Sequence, residues 1–322
     1  MNYFLTTSKL TPMKQETIVD VIAHQSWLTT AGNTLQPAIL QAFEAGGGTG
    51  LKIKNFLHGT WLGHPLHPAI TDVPIGAWTA AAVLDGLELG GARKFAPGAD
   101  AAIAIGLVGA LGAAVTGLTD WTGTTKRKRN IGLMHGLLNL GATALYTTSY
   151  LLRRRKGARG PAIGLAMLGY GVSAAAAYLG GHLVFSEQLG VDHTAISVEY
   201  PKEFVAVLAE ADLADNTMRR VEAGAVAVLL ARQNGEIFAI AHTCSHLGGP
   251  LSEGALLPDC RVRCPWHDSV FSLADGRVLA GPATEPQPAF EVRVQNGQIE
   301  VRLLLLPTEG EPARPVKAPA RA

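Results

Sequence analysis

Cysteine, charge and aromatic side chains are all scarce in this chain of 322 residues. Three cysteines allow at most one disulfide, so no disulfide framework carries the fold, and a chain of this kind suits a reducing compartment. Charged residues make up 16% and aromatics 6%. A net charge of +1 leaves no basic footprint for a nucleic-acid backbone, and no nucleic-acid partner is expected. The first ten residues lack a basic start and a sustained apolar core, so they do not read as a signal peptide. What fills the space is apolar: 48% hydrophobic residues, 37 glycines and a mean hydropathy of +0.19.

The apolar residues are gathered into runs. Residues 101–119, 131–152 and 161–185 contain no Asp, Glu, Lys or Arg. At about 1.5 Å per residue, helices of that length reach across a hydrocarbon core of about 30 Å. A fourth run, 70–89, is interrupted by Asp72, Asp85 and Glu88, which must be covered by partner helices or lie at the two interfaces. Small residues recur at spacing four, as in Gly132/Gly136, Gly109/Ala113 and Gly171/Ala175, and such faces let membrane helices approach closely. Trp61, Trp78 and Trp121 fall near the expected ends. The runs predict four transmembrane helices in residues 61–190, with the lipid bilayer as their solvent. Residues 1–60 alternate polar and apolar positions and predict an amphipathic helical region on the membrane surface or over the bundle. Residues 307–322, rich in Pro, Glu and Lys, predict a disordered tail.

Chemistry is concentrated in two short stretches, Cys244-Ser245-His246 and Cys264-Pro265-Trp266-His267. One thiolate and one imidazole from each of two loops is the donor set that holds a [2Fe–2S] cluster asymmetrically, two Cys on one iron and two His on the other. The same four residues also suit tetrahedral zinc, although zinc sites usually use C-x2-C and H-x3–5-H pairs. Gly248, Gly249 and Pro250 follow the first pair, Ser269 follows the second, and a turn-rich stretch from Gly281 through Pro282 to Pro288 is placed to cover the site from one side. Cys260 alternates with Val262 and reads as a buried strand position.

These loops resemble the Rieske ferredoxin family over roughly residues 196–306. The resemblance implies an antiparallel β-sandwich with a cluster-binding subdomain, a [2Fe–2S] cluster held by Cys244, His246, Cys264 and His267, and single-electron transfer without catalysis. Quinol-oxidising members of the family carry an extra Cys in each loop. Here Gly249 and Trp266 stand in those positions, and Phe271 stands where they place a Tyr. Ser269 keeps a hydroxyl able to donate to a cluster sulfur. Fewer donors to sulfur point to the lower part of the Rieske range, about −150 mV upward.

Leu62-Gly63-His64-Pro65-Leu66-His67-Pro68, with Asp72-Val73-Pro74 and the later Gly117-Leu118-Thr119-Asp120-Trp121, resembles an uncharacterised bacterial family of four-helix membrane proteins over about residues 56–191. The resemblance implies an all-α transmembrane bundle in the inner or plasma membrane of a bacterium. Threading the four runs through a bilayer puts His64, His67, His135, His182, Asp72 and Asp120 on the side from which the iron–sulfur domain emerges. Ionisable groups inside membrane segments are costly and usually functional. Two of His67, His135 and His182 are candidate axial ligands of a b-type haem; a hydrogen-bond network locking the bundle and a quinone pocket are the other readings.

The whole reads as a multi-domain, membrane-anchored Rieske-type ferredoxin passing electrons between a membrane redox partner and another protein, with the Rieske domain cytoplasmic. Alternatives are a quinol-oxidising subunit and a redox sensor gating the bundle. A terminal ring-hydroxylating oxygenase is excluded, because none of the 55 residues after His267 is a His that could hold a mononuclear iron.

Overall fold

The computed structural model describes residues 17–194 and 199–304. The expected tail at 307–322 and the first ten residues lie outside them. Four long helices form a bundle: α4 (Leu66–Leu89), α5 (Ala96–Trp121), α6 (Lys126–Leu152) and α7 (Arg159–Phe185). Three shorter ones, α1 (Ile18–Ala23), α2 (Ser26–Ala45) and α3 (Gly47–His58), precede them. By length and composition, Arg93–Trp121 and Arg159–Phe185 are long and apolar enough to cross a membrane, with mean hydropathies of 2.1 and 1.6. Helices α4 and α6, which carry buried Asp85 and a row of Thr and Asn side chains, fall short of the same measure. The outer faces of all four are apolar nonetheless. Val83, Val108, Leu111, Leu140 and Leu168 are more than half exposed, a surface that water alone would not favour.

The bundle contains an internal repeat that the sequence alone does not announce. Hairpin α4–α5 and hairpin α6–α7 each pack tightly within themselves, and α5 also packs on α6 and α4 on α7, so α4 and α6 lie on one diagonal. Three layers join them across that diagonal: His67 faces His135, Trp78 stacks on Tyr146 at 4.0 Å between ring centroids, and Asp85 pairs with Arg153. Every pair is separated by the same 68 positions. Helices α5 and α7 match at an offset of 63: a Cβ on Gly106 would strike Trp78 at 2.1 Å, and one on Gly169 would meet Tyr146 at 3.1 Å. Close packing thus rests on Gly106 and Gly169, which seat one aromatic ring per hairpin; of the small residues expected to do so, Gly109 lies tight against Val73 and Pro74, whereas Gly136 and Gly171 have nothing within 4 Å of a Cβ.

The carboxylates of α4 are resolved by this arrangement. Asp85 is fully buried and bound by the equally buried Arg153. Arg153 also reaches Asp100 at 3.0 Å, and Arg159 joins Asp100 at 2.6 Å to Glu88 at 2.7 Å. Asp72 is exposed. At the opposite end, α1–α3 cap the bundle. Gln36 donates to the carbonyls of Trp121, Thr122 and Thr124, and Asn130 donates to Ala23 O at 2.8 Å. Trp27, Ile53, Phe56 and Trp61 of this cap are at least half exposed.

The C-terminal part is all-β and antiparallel. A six-stranded sheet runs in the order β1 (Val205–Ala209), β10 (Gln298–Leu303), β9 (Ala289–Gln295), β4 (Glu236–Ala241), β3 (Val226–Gln233), β2 (Thr217–Ala223). A four-stranded sheet follows chain order: β5 (Ala255–Leu257), β6 (Arg261–Arg263), β7 (Val270–Ser272), β8 (Val278–Ala280). Strand β3 is apolar on both faces, as a central strand must be. Val228 and Leu230 enter one core, whereas Leu229 and Ala231 enter another that contains Cys244, Cys264, Val262 and Phe271. Cys260 departs from the strand reading. It sits in a left-handed turn (φ +53°) just before β6, partly buried, and its amide donates to Gln233 Oε1.

Candidate metal centre

The two Cys–His loops leave neighbouring strand ends, one between β4 and β5 and the other between β6 and β7. They share one hydrogen-bond scheme. Each cysteine amide donates to the carbonyl five residues on, Cys244 to Gly249 at 2.9 Å and Cys264 to Ser269 at 2.8 Å. Each cysteine carbonyl accepts from the amide four residues on, Gly248 at 2.8 Å and Asp268 at 3.2 Å, and both of those residues are left-handed. A turn closed this way points the amides of residues two and three after the cysteine back at its sulfur. His246 and Leu247 do so for Cys244, and Trp266 and His267 do so for Cys264. Such donors stabilise a thiolate.

The sulfurs are buried side by side. A thiol hydrogen bond from Cys244 holds Cys264 down at about 7, and the same bond, with burial, pushes Cys244 well up. The two imidazoles pair as well, ring centroids 5.0 Å apart and nearly perpendicular. Burial lowers both His246 and His267, so both are neutral and able to donate a lone pair. His246 Nδ1 is buried without a protein partner.

These observations fit a two-iron group. Among the described residues no three His, Cys, Asp or Glu side chains gather around a single point. The donors come instead as a sulfur pair and an imidazole pair. A Cβ on Gly249 would lie 2.8 Å from Cys264 Sγ and 3.2 Å from Trp266, so no larger residue fits there. Ser269 is fully buried; its Oγ accepts from Ala283 N at 3.0 Å, which leaves its own hydrogen free to donate. Trp266 is 55% exposed beside His267.

The centre does not stand free of the bundle. His246 and Pro282 both abut Gly123, where a Cβ would meet His246 Cε1 at 3.3 Å and Pro282 Cγ at 3.4 Å. Gly281 N donates to Asn55 Oδ1 at 3.0 Å, and His193 N to Ser245 O at 3.0 Å. His58, only 1% exposed, packs on Gly281 and donates from Nδ1 to Asp120 at 2.8 Å. Asn55, His58 and Gly123 escape a reading of the sequence, because nothing local marks a helix end as the seat of a loop more than 120 residues away. His267 opens instead into a groove of about 290 Å³ lined by Lys126, Arg127, Lys128, Glu187 and Trp266. Of the other histidines singled out from sequence, His67 and His135 meet at 6.2 Å between centroids. His182 turns to Glu187 at 3.5 Å, and His64 is exposed.

Residues 203–293 match the family model described as Rieske [2Fe-2S] domain, and residues 63–193 match the one described as Predicted membrane protein (DUF2231). Over 123 residues the chain is 37% identical to Apoptosis-inducing factor 3 of Homo sapiens, 38% of this chain and 20% of that protein; it thus spans about a fifth of that relative. It is 37% identical over 93 residues to the 3-phenylpropionate/cinnamic acid dioxygenase ferredoxin subunit of Escherichia coli (strain K12), covering 29% of this chain and 87% of the subunit. The solved ferredoxin of carbazole 1,9a-dioxygenase from Nocardioides aromaticivorans IC177 aligns at a TM-score of 0.30 and 25% identity over 31% of this chain and 96% of its own. This chain belongs to the Rieske [2Fe–2S] family and carries that family's cluster domain, preceded by residues that match the model of a predicted membrane-protein family.

Proposed function

We propose that the protein is a membrane-anchored Rieske-type ferredoxin, an electron carrier in which Cys244 and Cys264 hold one iron and His246 and His267 the other. The observation that carries this reading is the pairing of two buried sulfurs and two neutral imidazoles on loops of matching hydrogen-bond pattern. When bound, the cluster supplies one-electron transfer. The chain's own residues set its surroundings: loop amides point at the sulfurs, Ser269 offers a hydroxyl, and Phe271 and Leu251 keep water from the cysteine side. Resemblance to a dioxygenase ferredoxin subunit supports a redox protein as partner. The approach we favour is through the basic groove at His267 and Trp266, since His246 is turned towards the helices. The exposed apolar faces of α4–α7 support a bundle that lies in lipid with α1–α3 at one interface, and three unpaired cysteines suit a cytoplasmic Rieske domain.

Iron and sulfide analysis of full-length protein purified without oxygen, with its visible and paramagnetic resonance spectra, tests the ligand set. Two irons and two sulfides per chain are expected. Cys264→Ser loses both, whereas Cys260→Ser keeps them. Stoichiometric zinc without sulfide would overturn the reading.

A further inference from the structure

The His67–His135 pair is built differently from the other two layers on the bundle's diagonal. Trp78 and Tyr146 complement one another by stacking, and Asp85 and Arg153 by charge. The third layer sets two identical bases against each other with their planes nearly perpendicular. Each histidine donates from Nδ1 to a carbonyl of its own hairpin partner, His67 to Ala113 O at 2.9 Å and His135 to Ala176 O at 2.8 Å. Those two carbonyls are repeat-related, as are Gly117 and Gly180, against which the two rings lie. A Cβ on Gly117 would sit 2.7 Å from the His67 ring, and one on Gly180 3.1 Å from the His135 ring.

A proton committed to Nδ1 leaves Nε2 of each ring as a lone pair. Two lone pairs cannot satisfy each other. Within the bundle, His135 Nε2 is met at 3.2 Å by the amide of Asn139, which also donates to His135 O. His67 Nε2 has no hydrogen-bond partner among the described residues, and both imidazoles remain partly accessible. The site therefore keeps a lone pair open to an electron-pair acceptor.

We propose that His67 and His135 are the axial ligands of an iron porphyrin held between the two hairpins. Two nitrogen donors are too few for a bare ion that prefers four or more, yet they are the full protein contribution to a six-coordinate haem. Their spacing agrees. Two metal–nitrogen bonds of about 2.0 Å with the ring radii added put trans imidazole centroids roughly 6 Å apart, against the 6.2 Å and 89° between planes seen here. A carbonyl on the remote nitrogen is the usual support for a metal-bound histidine, because it fixes tautomer and ring orientation. The position matters for the chain as a whole. Gly117 lies six residues before Gly123, the seat of His246 just past the end of α5, so the pair is roughly 9 Å deeper in the bundle than the docked Rieske loops. The haem inference stands independently of how the cluster is ligated.

Full-length protein is purified in detergent from cells supplied with haem precursor and then titrated with haemin, the cluster spectrum in the same sample reporting the fold. We expect one haem per chain with a six-coordinate low-spin spectrum. His67→Ala and His135→Ala each weaken haemin binding at least about tenfold and leave a five-coordinate spectrum, while His182→Ala changes neither. Cluster-containing protein that takes up no stoichiometric haem, or a low-spin spectrum that survives in both variants, overturns the proposal. A missing cluster with haem retained would count against the Rieske ligand set alone.

Discussion

Ser269 shows how much one hydroxyl can decide. It is fully buried, its oxygen is held by Ala283 N, and its remaining hydrogen is free to point at a sulfur. A donor to sulfur favours the reduced cluster, which carries the extra negative charge. Ser269→Ala removes it, and a charge-assisted bond of about 1.5–2 kcal/mol corresponds to a fall of roughly 65–90 mV for one electron. Redox titration followed by the cluster's optical bands reads the shift; an unchanged or higher midpoint would show that the hydroxyl points elsewhere. Gly249 works at the same scale by absence. The Cβ that a cysteine would add there meets Cys264 Sγ at 2.8 Å, which agrees with the expected loss of the loop disulfide found in quinol-oxidising relatives.

Helix by helix, the costliest feature is the charge inside the bundle. Arg153 is 1% exposed and Asp85 fully buried, so each depends on the other. Asp85→Ala leaves a guanidinium stranded beside Asp100 alone, and such a break costs about 3–5 kcal/mol. Thermal unfolding in detergent should show a clear loss for the single variant and a substantial recovery for Asp85→Leu combined with Arg153→Met. Equal losses in both would mean that the cost does not come from the stranded guanidinium. The ion pair also bears on the run Arg153-Arg154-Arg155. Its first member is a packed structural residue.

At the scale of the whole molecule, the contact between the β domain and the helical cap controls access to the centre. One imidazole faces Gly123, and the other faces a groove with three cations. Gly123→Leu fills the space against His246 and Pro282 and should lift the loops. Hydrogen exchange at residues 245–247 and at Gly281 and Ala283 is then expected to quicken about tenfold, equivalent to about 1.4 kcal/mol of docking, with the cluster retained. Unchanged exchange would argue that the seat is loose already. The same contact makes orientation testable, since the β domain and the α5–α6 turn lie on one side. A cysteine placed at Thr125 should react with an impermeant thiol reagent only after the cells are opened. Labelling of intact cells would place the Rieske domain outside.

The linear chain was enough to specify whatever rests on short spacing or on composition. Two Cys–His loops and four helix-length runs are properties of neighbours along the backbone, and the folded chain forms the loops and the helices at the stated positions. The sequence could not say which way each helix faces. In runs apolar all round, the 3.6-residue period has almost no contrast, so the 68-residue register that sets His67 on His135, Trp78 on Tyr146 and Asp85 on Arg153 was hidden. His182, equally plausible on paper, turns to Glu187 because its place on α7 is set by that packing. Cys260 was misplaced for a related reason. Alternation over four residues looks the same whether the first lies in a strand or in the left-handed turn before it, and only pairing with Gln233 and the next strand decides between them.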